Sequence, residues 1–158
     1  DPPVAFADFA ATRPDKGLVG ADFVRANWWL LYVVPTQCEQ SCENRLYQMR
    51  QVRKALGKES ERVRPLLVMT SPASSELQAL LAREFADFEL LYADASAINT
   101  ALASVLPEAV NKGQLFIIDP MGWIMLTYAP EENEKNSVIK AEDILHDVKK
   151  LLKASRIG

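Results

Sequence analysis

The chain has 158 residues, of which 49% are hydrophobic and 25% charged, and these proportions predict one globular domain with a full-sized core rather than a disordered chain. Its formal net charge of −3, with Lys and Arg scattered along the sequence, disfavours nucleic-acid binding. No run reaches the roughly 18 consecutive apolar residues that a membrane span needs. Because the chain begins at Asp1 rather than Met, we expect either a processed form or a piece cut from a longer chain.

The N-terminal segment is expected to differ from the rest of the chain. Residues 1–16 are rich in Pro and Ala, and we predict that they form an arm on the domain surface or the remnant of a linker. Residues 17–158 are predicted to form a single domain, since no internal repeat or second composition divides them.

An apolar run followed by a helical pattern gives the first strong structural signal, and it carries both cysteines. Trp28–Val34 is rich in aromatic and β-branched residues and predicts a strand buried on both faces, which Pro35 ends. From Cys38 to Leu56 apolar residues recur at spacings of three and four, which predicts a helix. Cys42 extends the buried stripe of this helix, and Cys38 lies one turn before it.

The rest of the chain alternates strands with helices. Further elements are predicted as strands over 64–70 and 88–93, helices over 74–85 and 96–106, a hairpin of strands 115–119 and 123–128, and a helix over 141–152. This order predicts an α/β, thioredoxin-like fold, in which a mixed central β-sheet has helices on both faces and a C-terminal β-hairpin is followed by a helix. A dithiol at the start of the first long helix agrees with that fold.

Cys38 and Cys42 are the candidate catalytic residues. Residues four apart on a helix have Cα atoms roughly 6 Å apart, so the two sulfurs can form a disulfide or converge on one soft metal ion. The helix N-terminus favours a thiolate at Cys38, and Cys42 should be more covered, which makes Cys38 the predicted attacking sulfur and Cys42 the resolving one. Glu39 and Glu43 oppose this, because neighbouring carboxylates disfavour a further negative charge. A structural disulfide is the alternative.

The methionines and the single histidine are the other candidates for a soft-metal site. Met49 and Met69 fall in core patterns and are predicted to fill gaps in the core. Met121 occupies the hairpin turn and is expected to be exposed, whereas His146 lies on the last helix, where a solvated residue is the simpler interpretation. Residues 131–134 are acidic and are predicted to form a solvated loop.

Most of the chain, from about residue 17 onward, resembles the Sco/SenC-type family, the thioredoxin-like copper chaperones and related proteins of cytochrome c oxidase assembly. The resemblance rests first on the C-x-x-x-C spacing of Cys38 and Cys42, where thioredoxins proper carry C-x-x-C. It rests also on the I-D-P-M-G sequence at residues 118–122, which many thioredoxin-like relatives share. The resemblance implies a thioredoxin-like fold.

The resemblance also implies a copper site and a location. Members of the family bind copper through the two cysteines and one histidine that lies shortly before the hairpin. Here residues 110–114 stand in that place and contain no histidine, and Asn111 offers only an amide, a poor ligand for soft copper. A Cu(I) site at the two cysteines therefore needs a third ligand from Met121, His146 or a partner. The implied location is the periplasmic side of the bacterial inner membrane, in a domain tethered by a removed N-terminal helix.

Three functions follow, and the sequence leaves open which of them applies and whether the protein is an enzyme. The first is thiol–disulfide exchange in respiratory oxidase assembly, in which Cys38 attacks a protein partner such as an oxidase subunit or assembly factor and Cys42 releases it. The second is a copper(I)-binding chaperone with an altered third ligand. The third is a non-catalytic binding module with a structural disulfide. The first ranks highest because it needs only residues that are present. Peroxidase chemistry is disfavoured, since no arginine stands out as an activator.

Overall fold

A five-stranded sheet with β1 at its centre forms the body of the protein. The computed structural model describes residues 27–105 and 113–155. In chain order the elements are β1 (Trp28–Val34), α1 (Gln40–Ala55), a 3-10 helix (Gly57–Arg62), β2 (Val63–Met69), α2 (Ser75–Glu84), β3 (Glu89–Tyr92), α3 (Ala95–Val105), β4 (Leu115–Ile118), β5 (Ile124–Tyr128) and α4 (Glu134–Ala154).

The sheet is mixed, and its strands lie in the order β3-β2-β1-β4-β5. β1 is parallel to β2, and β2 is parallel to β3. β4 is antiparallel to both β1 and β5, so β4 and β5 form a hairpin that α4 follows. This topology confirms the predicted thioredoxin-like α/β fold.

Helices cover both faces of the sheet. Successive side chains of β1 point to opposite faces, so they pack against different helices. Trp28, Leu30 and Tyr32 share one hydrophobic cluster with residues of α1, α2 and α4. Trp29 and Leu31 lie in a second cluster, on the face that α3 covers. The unbroken apolar run of β1 is therefore buried on both sides, as its composition predicts.

Two helix boundaries differ from the prediction. α1 begins at Gln40, so Cys38 precedes the helix instead of starting it. α4 begins at Glu134, well before the predicted start at residue 141. Its first turns escaped prediction because Val138 and Ile139 are 60% and 52% exposed, which leaves no apolar stripe facing the core there.

Some predictions concern residues that the structure does not describe. The arm over residues 1–16 and Asn111 both lie outside the described ranges, so they stay predictions.

Gly57, which follows the C-cap of α1, has a φ of +60°, a left-handed conformation that glycine adopts without strain. Within residues 27–105 and 113–155, no helix is long and apolar enough to cross a bilayer.

Candidate functional site

The two cysteines form a disulfide at the junction between β1 and α1. Cys38 and Cys42 have Cα atoms 5.1 Å apart and sulfurs bonded at 2.00 Å. Cys38 lies in the connection that follows β1, and Cys42 lies in the first turn of α1. The sequence prediction that the two sulfurs can bridge is confirmed, even though only one of them belongs to the helix.

The two sulfurs differ in their access to solvent. Cys42 is 1% exposed and lies within the core cluster that α1 shares with the sheet. Cys38 is only partly buried and packs at the edge of the same cluster. Cys38 lies just before the N-terminus of α1, so the positive end of the helix dipole is beside it. Glu39, the N-cap residue, makes no side-chain hydrogen bond to the free N–H groups there. This asymmetry suits an accessible attacking sulfur and a sheltered resolving one, whose roles stay predictions.

A buried arginine one turn after Cys42 is the residue that sequence reasoning missed. Arg45 is 2% exposed, and its Nη2 donates hydrogen bonds to the carbonyl oxygens of Tyr128 (2.9 Å) and Gly113 (3.1 Å). Its Nη1 donates to Gln48, while its buried Nε has no partner. No described residue forms a salt bridge with it. The i+3 spacing from Cys42 places Arg45 on the inward side of α1. This spacing could have predicted its burial, but a charged residue is usually assigned to the solvent-facing side of a helix.

Burial moves the pKa of Arg45 and that of its aromatic neighbour in opposite directions. Desolvation lowers the pKa of Arg45 to about 10, although Tyr32 and Glu131 oppose the shift. Burial likewise raises the pKa of Tyr32 to about 12, against the pull of the guanidinium 5.8 Å from its ring centre. At neutral pH this pair therefore carries one positive charge in the core beside the dithiol helix.

Buried polar side chains fix α1 against α4. The Asn44 amide donates to the carbonyl oxygens of Glu131 (3.0 Å) and Glu132 (2.9 Å), just before α4 begins. Gln48 donates to the carbonyl of Ser137 (3.0 Å), and the Ser137 hydroxyl donates back to the carbonyl of Asn44 (3.3 Å). These bonds satisfy polar groups that burial would otherwise make costly, and they hold the dithiol helix in one position.

A cavity of about 430 Å³ lies next to the dithiol segment. Pro35 and Thr36, which lead to Cys38, contribute to its wall, as does Ser41 from between the two cysteines. Tyr32 and Gly113, both in contact with Arg45, line it as well. The cavity therefore adjoins the segment that carries the two cysteines and also residues that contact the buried arginine.

Met121 lies too far from the cysteines to serve as their third metal ligand. It is 64% exposed in the turn after β4, which confirms the prediction that this side chain is exposed. Trp29, near the start of β1, pairs with Ile118 at the end of β4, whereas Cys38 follows the end of β1. The length of β1 separates the two places by roughly 20 Å. This separation puts Met121 out of reach of a metal ion that the two cysteines would hold.

His146 is remote from the cysteines as well. α4 runs in the same direction as α1, since Ser137 contacts Asn44 near one end and Arg62 donates to the carbonyl of Leu152 near the other. His146 is exposed and lies farther along α4 than Ser137 by about 13 Å. Among the described residues, no group of three His, Cys, Asp or Glu side chains could hold a metal ion. The described His, Cys, Asp and Glu side chains therefore do not supply a complete copper site.

Fold and site together define a thioredoxin-like protein with a C-x-x-x-C disulfide. Residues 28–155 match the family model described as "Transmembrane-like, thioredoxin-like, C-terminal domain", and the chain belongs to that family. Among curated protein sequences, none matches the chain significantly.

Solved structures with the same fold include Sco proteins and a thiol–disulfide oxidoreductase. Yeast Sco1 with copper bound superposes with a TM-score of 0.67 at 15% identity, over 99% of both chains. A SCO1/SenC family lipoprotein from Bacillus anthracis gives 0.65 at 18% identity, covering 89% of this chain and 90% of its own. The thioredoxin domain of a thiol-disulfide oxidoreductase from Bacteroides vulgatus gives 0.57 at 12%, covering 89% and 97%. The predicted Sco/SenC-type thioredoxin-like resemblance is thus confirmed for the fold.

Proposed function

We propose that this protein is a thiol–disulfide oxidoreductase that exchanges electrons with a protein partner through Cys38 and Cys42. The observation that carries the proposal is the asymmetric disulfide, in which one sulfur is accessible and the other is 1% exposed. A bridge that served stability alone would not need to leave one of its two cysteines only partly buried. The thiolate that reacts must also be reachable by its partner.

The proposed reaction needs no atom that the two proteins do not supply. In the reduced protein the Cys38 thiolate attacks one sulfur of a partner disulfide, which forms a mixed disulfide and releases the partner's other sulfur as a thiolate. The Cys42 thiolate then attacks the Cys38 sulfur, closes the internal bridge and releases the second partner sulfur. Two electrons pass to the partner disulfide, which is reduced, and the dithiol is oxidised. The reverse sequence oxidises a partner dithiol.

The proposal extends to the setting of this chemistry. The family description, transmembrane-like and thioredoxin-like, supports a domain that a membrane anchor holds on the periplasmic side of a bacterial inner membrane. The likeness to Sco folds supports a partner in respiratory oxidase assembly, either an oxidase subunit or an assembly factor with a thiol or disulfide.

A trapping experiment tests the assignment of the two sulfurs. The Cys42→Ser variant should accumulate a mixed disulfide with a disulfide-linked test peptide, because no resolving sulfur remains to release it. Mass spectrometry of the reduced variant after incubation measures the adduct. The Cys38→Ser variant is the matched control and should form little adduct, since its remaining sulfur is 1% exposed. If neither variant forms an adduct, the disulfide is structural and the protein is a binding module.

Copper(I) binding is a second candidate, favoured by two sulfurs that lie within bonding distance of each other. Because neither Met121 nor His146 lies beside them, we expect the reduced protein alone to lose Cu(I) to a mild competing chelator. A competition titration measures this, and the Met121→Leu and His146→Ala variants should give the same curve as the natural chain. Retention of Cu(I) that drops tenfold in either variant would overturn this placement of the ligands.

A further inference from the structure

Lysines that are far apart in the sequence meet at one end of the protein, the end at which β1 begins. Arg62 donates hydrogen bonds to the carbonyl oxygens of Leu152 (3.4 Å) and Ser155 (3.3 Å), so the last turn of α4 lies beside the 3-10 helix that follows α1. Val63, directly after that 3-10 helix, pairs with Trp28 at the start of β1. We call this the basic end, after five exposed lysines in these elements: Lys54, Lys58, Lys149, Lys150 and Lys153.

The carboxylates of the basic end are less exposed than its lysines. Of the described ones, Glu61 and Asp87 are exposed, and Asp87 forms an ion pair with Arg53 at 2.8 Å. The others are partly buried: Glu59, Glu89, Asp119 and Asp147. The lysine side chains therefore extend into solvent, where they can meet an anionic partner.

Two exposed methionines lie at the same end. Met121 is 64% exposed and Met125 is 42% exposed, and both line a recess of about 190 Å³ whose wall includes the last turn of α4. Lys153 belongs to that turn, and Lys150 directly precedes it. Positively charged side chains and flexible apolar ones are thus exposed side by side on one surface.

The opposite end of the protein, which carries the dithiol, is acidic. Glu39 and Glu43 are exposed next to the two cysteines. Asn44 holds the acidic segment 131–134 nearby, through its hydrogen bonds to two backbone carbonyls of that segment. The length of β1 separates the two ends by roughly 20 Å. An anionic surface would therefore attract the basic end and repel the dithiol end.

The course of the chain favours a membrane as that anionic surface. The polypeptide enters the described fold at the basic end, because β1 begins there. A tether on the N-terminal side therefore holds this end, rather than the dithiol end, toward its attachment. Anionic lipid headgroups attract lysines, and the apolar boundary below them accepts methionine side chains.

We infer that the basic end rests on the surface of an anionic lipid bilayer, which points Cys38 away from the bilayer toward its protein partner. The choice of a bilayer rests on the membrane setting of the proposed function. The thiol–disulfide chemistry itself is not needed for this contact.

Co-sedimentation of the full chain with lipid vesicles tests the inference. At about 0.1 M salt the protein should bind vesicles of phosphatidylcholine with about 30% phosphatidylglycerol at least tenfold more tightly than vesicles of phosphatidylcholine alone. The reason is that each lysine near an anionic surface strengthens binding by about fivefold. At about 0.5 M salt the preference should disappear, because the ions screen the charges.

Two pairs of substitutions on the same helix locate the contact. Lys150→Gln combined with Lys153→Gln should weaken binding to the anionic vesicles at least tenfold. The matched control is Lys135→Gln combined with Lys140→Gln, which removes the same charge from positions about 20 Å nearer the start of α4. The control pair should bind within threefold of the natural chain.

The orientation of the bound protein is measured by alkylation. With the protein reduced and bound to the anionic vesicles, a water-soluble maleimide should modify Cys38 within twofold of the rate in free solution, because the basic end faces the lipid. Alkylation at least tenfold slower than this would overturn the proposed orientation.

Other outcomes would overturn the contact itself. Equal binding to the two kinds of vesicle, or equal loss of binding in the two lysine pairs, would exclude the basic end as the site. Binding to poly-glutamate with none to vesicles would mean that this end fits an acidic protein instead. Each of these results would leave thiol–disulfide exchange in solution intact, so the proposed function is tested independently by the trapping experiment.

Discussion

Cys38→Ser should lower the rate of exchange with a protein disulfide by at least about 10³-fold, because it removes the nucleophile itself. The sulfur that remains belongs to Cys42, which is 1% exposed and cannot meet a partner disulfide without local unfolding. The measurement is the second-order rate constant for reduction of a disulfide-containing protein substrate by the fully reduced variant, compared with the natural chain under the same conditions.

The matched variant is Cys42→Ser, which should keep the first step and lose turnover. Its adduct with the substrate should form within about threefold of the rate of the natural chain, since the accessible sulfur is unchanged. Comparison of thermal unfolding of both reduced variants with that of the reduced natural chain excludes a loss of fold as the cause. A Cys38→Ser variant that kept more than a tenth of the natural rate would contradict the assignment of Cys38 as the attacking residue.

The sequence predicts the parts of this molecule that depend on hydrophobic periodicity. The bounds of β1 are predicted correctly, because seven consecutive apolar residues lie between the polar Asn27 and the strand-ending Pro35. The order of strands and helices, and the closeness of Cys38 to Cys42, follow from the same patterns together with the C-x-x-x-C spacing. These features are local, so tertiary contacts do not need to be known.

Features that depend on tertiary contacts escape such a prediction. The first turns of α4 bury Ser137 instead of an apolar residue, because the partner of its hydroxyl is the backbone carbonyl of Asn44 in α1. Arg45 escapes for the same reason: a charged residue on a helix is assigned to solvent unless the carbonyl groups that receive it are known. Those carbonyls belong to Gly113 and Tyr128, far away in sequence.

Arg45→Met should destabilise the folded protein by about 3 kcal/mol, because it removes three hydrogen bonds donated by a charged group. The carbonyl oxygens of Gly113 and Tyr128 would lose a donor in a partly buried place. A gain opposes this loss, since the guanidinium no longer has to be desolvated, the cost that lowers its pKa to about 10. Hydrogen bonds to charged groups contribute about 1.5 to 3 kcal/mol each, so three of them exceed that gain.

Arg50→Met is the control that separates a buried arginine from a partly exposed one on the same helix. Arg50 pairs with Glu84 at 2.8 Å, but its side chain is 38% exposed, and such ion pairs contribute about 1 kcal/mol or less. Thermal unfolding of the oxidised proteins should show a fall in Tm of roughly 10 °C for Arg45→Met and only a few degrees for Arg50→Met. Equal falls in Tm would mean that water replaces Arg45 as the hydrogen-bond donor to the carbonyls of Gly113 and Tyr128. In that case the arginine would not be what holds Gly113, at the edge of the cavity, against the dithiol helix.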